Sequence, residues 1–98
     1  MNTPAAQTIA FAIWGPIARE HLPGLCDRIC ALLHESGATT AFCDVTGVEP
    51  DAVTVDALAR LQLTAKRLGC RMWLRNGSAE LLQLVAFMGL ADVLPEER

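Results

Sequence analysis

The feature that most constrains this chain is a mostly apolar run at 39–45, followed after a short turn by an amphipathic stretch at 52–68. A short apolar run is typical of a strand in the centre of a sheet, with cover on both of its faces. In the second stretch apolar residues recur at helical spacing, which predicts a long helix. A buried strand that leads into a long helix predicts a β-α unit, from which α/β folds are built.

The same alternation continues along the chain. The strands predicted from these patterns are 8–14, 39–45, 70–75 and 90–94. The predicted helices are 22–34, 52–68 and 78–88. Strands and helices that alternate at this spacing form right-handed crossovers between parallel strands. We therefore expect an α/β fold with a mixed or parallel sheet of about four strands, packed with three to four helices.

Length and charge limit the possible functions. With 98 residues the chain allows one domain, which we expect at 8–94, between a disordered N-terminus at 1–7 and a solvated tail at 95–98. The net charge is −3 and the eight basic residues are scattered, which disfavours nucleic-acid binding. Apolar runs fall short of the roughly 20 residues of a membrane span, and the N-terminus lacks the basic region of a secretion signal. We expect a cytoplasmic protein without membrane insertion.

The start of the helix at 52–68 carries the most distinctive polar residues. Asp51 is predicted to cap the helix, and Asp56 lies in its first turn, where the helix dipole favours negative charge. Thr54 lies between them. Its hydroxyl is either a backbone cap or solvated first-turn group, or a phospho-acceptor, because a helix N-terminus favours a phosphate.

The outward face of the same helix is predicted to carry Asp56, Arg60, Leu63 and Arg67. A single exposed leucine is ordinary in a soluble protein. Next to a docking loop, which we expect at 47–54, Leu63 could however contact a partner protein. The two tryptophans of the chain are interpreted as packing residues.

No motif of a catalytic nucleophile and no phosphate-binding glycine loop occurs, so no catalytic residue is assigned and no enzyme is expected. Cys26, Cys30 and His34 follow one another at four-residue spacing on the first helix and raise the alternative of a thiol or metal site. A fourth ligand and the usual zinc spacings are missing. The cysteines are therefore interpreted as reduced, small apolar side chains, and no cofactor is expected.

Three segments together resemble a STAS domain, the fold of bacterial anti-sigma factor antagonists. Trp-Gly-Pro-Ile at 14–17 resembles the family's first turn, and Phe-Cys-Asp-Val-Thr-Gly-Val at 42–48 resembles its central strand end. The segment at 74–82, with Met-Gly-Leu at 88–90, resembles its closing helix. The resemblance extends over 8–94 and implies a protein that binds an anti-sigma factor.

The resemblance weakens at the head of the second helix, where the family carries its phosphorylated serine. Asp51 and Leu58 match the family pattern, but Val53 stands at the serine position and Thr54 at the usual glycine position. Two interpretations follow: either Thr54 is the phospho-acceptor, or the protein binds its partner without a phosphate switch.

By this resemblance the partner is an anti-sigma factor or a serine/threonine kinase-like protein, and the function is regulation of transcription in bacteria. An alternative partner is the ATPase of a lipid-transport ABC complex, on which some STAS proteins dock. The oligomeric state stays open. The residues expected to bind the partner are Gly47, Asp51, Val53, Thr54, Asp56, Arg60 and Leu63.

Overall fold

The computed structural model describes residues 7–97, and the predicted alternation of strands and helices is confirmed as far as α3. A 3-10 turn at Arg19–His21 precedes the first helix. The strands are β1 (Thr8–Trp14), β2 (Thr40–Gly47) and β3 (Arg71–Arg75). The helices are α1 (Leu22–Ser36), α2 (Ala52–Arg67) and α3 (Ala79–Phe87). The expected disordered segment at 1–7 lies, except for Gln7, outside the described residues.

The three strands form one parallel sheet in the order β1-β2-β3, so β2 is central as predicted. Consecutive parallel strands joined by right-handed crossovers place both connecting helices on the same face of the sheet. In agreement, α1 packs against α2, and α3 packs against α2 in turn. The molecule therefore has two layers, with the hydrophobic core between the sheet and the three helices.

The expectation that β2 is covered on both faces is wrong. Its side chains alternate: Ala41, Cys43 and Val45 are buried beneath the helices, whereas Phe42 on the opposite face is half-buried. Arginines from β3 cover part of that opposite face. The Arg75 guanidinium lies 4.3 Å from the centre of the Phe42 ring, a cation–π distance.

The predicted fourth strand at 90–94 does not form. Gly89 adopts a left-handed conformation, with a φ of 75°. The backbone N–H of Leu94 then donates to the carbonyl of Leu90 at 2.8 Å, which bends the segment into a turn. Its apolar residues fill the end of the core instead, where Leu94 is 3% exposed.

The last described residues, 95–97, were expected to be a solvated tail, but they lie along the outer edge of β3. The Leu74 N–H donates to the Pro95 carbonyl at 2.8 Å, and the Glu97 N–H donates to the Leu74 carbonyl at 2.7 Å. Arg75 binds the Glu97 carboxylate through two hydrogen bonds of 3.0 and 2.7 Å. The hydrogen bonds from Arg75 also lower the pKa of Glu97.

A side chain from α2 closes the rest of this edge. Gln62 is 1% exposed, and its amide group makes three hydrogen bonds. It accepts from the Met72 N–H at 2.9 Å, and donates to the carbonyls of Met72 and Val93 at 2.8 Å each. Gln62 thus replaces a neighbouring strand at the point where β3 has none.

We expect Gln62→Leu to lower the free energy of unfolding by roughly 2–4 kcal/mol, because it leaves the two buried backbone groups of Met72 and the partly buried carbonyl of Val93 without partners. The matched control is Gln83→Leu, at an exposed position of α3, which should change it by less than about 0.5 kcal/mol. Urea denaturation of the three proteins measures both effects. Equal stability of the two variants would contradict the assigned role of Gln62.

Candidate functional site

The turn between β2 and α2 is held by carboxylates that accept local hydrogen bonds. The Asp51 side chain accepts from the Thr54 N–H at 2.8 Å, which confirms the predicted cap. Asp44, at the end of β2, accepts from the Thr46 N–H and hydroxyl at 2.9 and 2.6 Å, and from Asn76 at 3.1 Å. The bonds from Thr46 lower the pKa of Asp44. Both acids therefore have structural partners within the turn and the neighbouring strand ends.

Gly47 lies under the indole ring of Trp14. A Cβ atom at position 47 would overlap the Trp14 Cδ1 atom, so only glycine allows this approach. The Gly15 N–H donates to the Gly47 carbonyl at 3.0 Å and ties the two strand ends together. Trp14 is nevertheless 73% exposed, so its interpretation as a packing residue is wrong. It presents an apolar surface next to the predicted docking loop.

Thr54 is buried rather than accessible. Its side chain is 0% exposed, and its hydroxyl has no hydrogen-bond partner among the described residues. Thr54 precedes Leu58, Leu61 and Ala65 by four, seven and eleven positions, so it belongs to the inward stripe of α2. A kinase cannot reach this hydroxyl in the folded protein. The half-buried Val53, at the neighbouring position, has no hydroxyl to modify.

The remaining predicted contact residues lie together on the outward face of α2. Asp56 pairs with Arg60 at 2.9 Å, an exposed ion pair of the kind that contributes little to stability. Leu63 is 52% exposed, one turn further along the helix. Thr54 does not join this surface because it is buried, and Asp51 precedes the helix as its cap. The half-buried Val53 precedes Asp56 and Arg60 by three and seven positions, so it lies on the same face, at the start of the helix.

Leu63 lines an open groove between α1 and α2, which we call the α1–α2 groove. Its main lining residues are Arg19, Leu22, Ala59, Arg60, Leu63 and Arg67. Arg60 is paired with Asp56, whereas Arg19 and Arg67 form no salt bridge within residues 7–97. The groove therefore combines an apolar floor with unneutralised positive charge, in a chain whose net charge is −3. The sequence pattern identified the α2 side of the groove and missed Arg19, because this residue precedes the predicted helix.

The cysteines and the histidine of α1 lie at different depths in the structure. Cys26 lies in the wall of the groove, and partial burial raises the pKa of its thiol. Cys30 is half-buried and His34 is exposed. Within residues 7–97, no group of three or more histidine, cysteine and acidic side chains is placed to hold a metal ion. Burial raises the pKa of the core residue Cys43 to about 12, so its thiol stays protonated.

Comparison with solved structures identifies the fold. The chain is similar to the anti-sigma factor antagonist SpoIIAA in its unphosphorylated form, with a TM-score of 0.67 over 99% of this chain and 85% of that chain. This chain has the fold of SpoIIAA. The resemblance to STAS domains is thus confirmed at the level of structure, while the two sequences are 13% identical.

No protein-family model matches the sequence. No curated protein matches it either. At 13% identity the likeness to SpoIIAA establishes the fold and leaves the function to be argued from this chain's own surface. None of the helices in residues 7–97 has the length and apolar character of a membrane span.

The burial of Thr54 predicts opposite effects for two substitutions. Thr54→Glu should lower the free energy of unfolding by more than about 3 kcal/mol, since it places an unpaired charge in the core. Thr54→Val should leave it unchanged or raise it by up to about 1 kcal/mol, since it removes a buried hydroxyl without a partner.

The control is Ala52→Glu, at the exposed first position of α2, where the helix dipole favours a negative charge. It should stay within about 0.5 kcal/mol of the unsubstituted protein in the same denaturation experiment. Tolerance of glutamate at position 54 would show that Thr54 is accessible and would reopen the phospho-acceptor hypothesis.

Proposed function

We propose that this chain is a non-catalytic protein-interaction domain that acts as an anti-sigma factor antagonist. It binds an anti-sigma factor, a protein of the serine/threonine kinase-like class, and so regulates sigma-factor-dependent transcription. The observation that carries this proposal is the α1–α2 groove, an exposed apolar and basic surface on the fold of a known antagonist.

The groove has the composition of a protein-docking site. Protein interfaces typically have an apolar centre within a polar rim, and arginine is enriched in them. Here Leu63 supplies the exposed apolar centre above the buried Leu22, and Arg19 and Arg67 stand at the rim. The groove is open to solvent on the long side between the two helices, so a helical or extended segment of a partner has access to it.

The positive charge of the groove favours a partner segment that carries acidic residues. Arg19 and Arg67 have no acidic partner among the described residues, so they are available to carboxylates of another protein. An amphipathic segment with an apolar face and flanking acidic residues would match both features. We therefore assign the groove to an acidic amphipathic segment of the anti-sigma factor.

The residues at the start of α2 favour binding without a phosphate switch. Thr54 is enclosed, and Val53 replaces the serine that the family phosphorylates. The sequence left two interpretations open. The burial of Thr54 supports the second, in which the protein binds its partner without being phosphorylated. Control of the complex would then depend on the amounts of the two proteins or on changes in the partner.

The other hypotheses have less support. No observation favours an ABC ATPase as the partner. The thiol-enzyme hypothesis needs an activated cysteine, whereas burial raises the pKa of the Cys26 thiol and so lowers its reactivity at neutral pH.

Leu63→Glu should weaken binding of the anti-sigma factor at least about tenfold, because it places a carboxylate in the apolar centre of the groove. Isothermal titration calorimetry, with purified anti-sigma factors of the organism that makes this chain, measures the affinity. Thermal unfolding should change little, since Leu63 is half exposed.

The matched control is Phe87→Glu, which introduces the same charge at an 88% exposed apolar residue on α3, outside the groove. It should leave the affinity unchanged. If no anti-sigma factor binds the unsubstituted chain, the proposed function is wrong. If binding occurs but both variants weaken it equally, the function holds and the groove is not the docking site.

A further inference from the structure

The two edges of the sheet differ in how their backbone groups are satisfied. On the β3 side, Gln62 and residues 95–97 pair with the outward N–H and carbonyl groups of Met72 and Leu74. On the β1 side, no backbone group within residues 7–97 pairs with the outward side of the strand. Within the described part of the chain, one edge of the sheet is thus closed and the other is able to accept a strand.

The direction of the backbone groups on β1 follows from its hydrogen bonds to β2. Gln7 accepts from the Thr40 N–H, and the Gly15 N–H donates to the Gly47 carbonyl, so odd-numbered residues of β1 face β2. The N–H and carbonyl groups alternate in direction along a strand. The even-numbered residues therefore direct theirs away from the sheet; these are Thr8, Ala10, Ala12 and Trp14.

This edge lacks the features that usually prevent strands from pairing. Proteins protect exposed edges with charged residues, prolines or a covering segment. The sequence of β1, Thr-Ile-Ala-Phe-Ala-Ile-Trp, contains neither a charge nor a proline over seven residues. An open hollow lies beside the C-terminal end of the strand, between Trp14 and the α1 residues Leu25 and Arg28.

We propose that β1 is a self-association site, at which β1 of a second copy of this chain adds antiparallel to form a continuous six-stranded sheet. The two-fold axis passes at Phe11. Ala10 then lies opposite Ala12 of the second copy, and Thr8 lies opposite its Trp14.

This register brings the outward-facing backbone groups of the two strands together. In an antiparallel pair, residues that exchange hydrogen bonds lie directly opposite each other. With the axis at Phe11, every even-numbered residue faces an even-numbered residue, so all the outward N–H and carbonyl groups find partners. The small side chains of Ala10 and Ala12 allow the two strands to approach each other. A two-fold axis places identical strands side by side, so a charged residue in β1 would lie near its own copy and repel it; β1 has no charged residue.

The proposed dimer is independent of the proposed function. The α1–α2 groove lies between the helices and the new strand adds at the sheet edge, so both surfaces are available at once. Pairing through backbone hydrogen bonds and uncharged side chains should be insensitive to salt. Binding of an acidic segment in the groove should weaken as salt screens the arginines. Failure of one proposal is thus distinguishable from failure of the other.

Sedimentation velocity over concentrations up to about 1 mM tests the proposal on the full chain. We expect the mass to rise from 10.6 kDa to twice this value as concentration increases. Ala10→Pro and Ala12→Pro should each stay monomeric, because proline removes an outward N–H and is tolerated at the solvent side of an edge strand. Ala79→Pro, at the first position of α3, is the matched control and should dimerise like the unsubstituted chain.

Amide hydrogen exchange gives a second readout that needs no substitution. The Ala10 and Ala12 amides should exchange more slowly at dimer concentrations than at monomer concentrations, while exposed amides of α3 do not change. A chain that stays monomeric throughout the range, or proline variants that dimerise normally, would overturn the proposal. Unchanged exchange at Ala10 and Ala12 in a dimer would overturn it as well.

Discussion

The packing of α2 against the sheet determines where the important residues of this protein lie. One stripe of the helix, which includes Thr54, Leu58 and Leu61, is fully buried against the sheet. The rotation that buries this stripe also inserts Gln62 at the edge of β3 and directs Leu63 outward into the groove. Because interiors are close-packed, α2 cannot turn to expose Thr54 without losing the core. The interface between α2 and the sheet therefore determines the fold, the closed edge of the sheet and the position of the docking surface.

The periodicity of the sequence predicted what depends on local spacing. It gave the order of the elements, the cap at Asp51 and the outward position of Leu63, each of which follows from neighbours along the chain. The periodicity failed where the conformation of a segment depends on contacts with residues distant in sequence. The apolar segment 90–94 has the composition of a strand, but the edge it would occupy is closed by Gln62, a polar residue whose partners are distant in sequence. Thr54 was predicted to be a cap, a solvated group or a phospho-acceptor because its side chain is polar. Its position on the inward stripe of α2, which buries it, was given too little weight.

Under the proposed function, the burial of Thr54 favours control through the amounts of the two proteins or through changes in the partner, rather than through modification of this chain. The fold of SpoIIAA is kept, while the hydroxyl at the head of α2 is either absent, at Val53, or enclosed, at Thr54. The exposed features lie elsewhere: Leu63 and the unpaired arginines in the groove, and Trp14 beside the docking loop. In the turn between β2 and α2, Asp44 and Asp51 accept local hydrogen bonds that hold the start of the helix in place.

The most direct test of this account is an NMR titration of the isotope-labelled chain with the anti-sigma factor that we propose as its partner. The account predicts that the largest chemical-shift changes occur at groove residues, among them Arg19, Leu63 and Arg67, and that the open sheet face around Phe42 and Trp73 is unaffected. Changes concentrated on that sheet face, with the groove unperturbed, would contradict it.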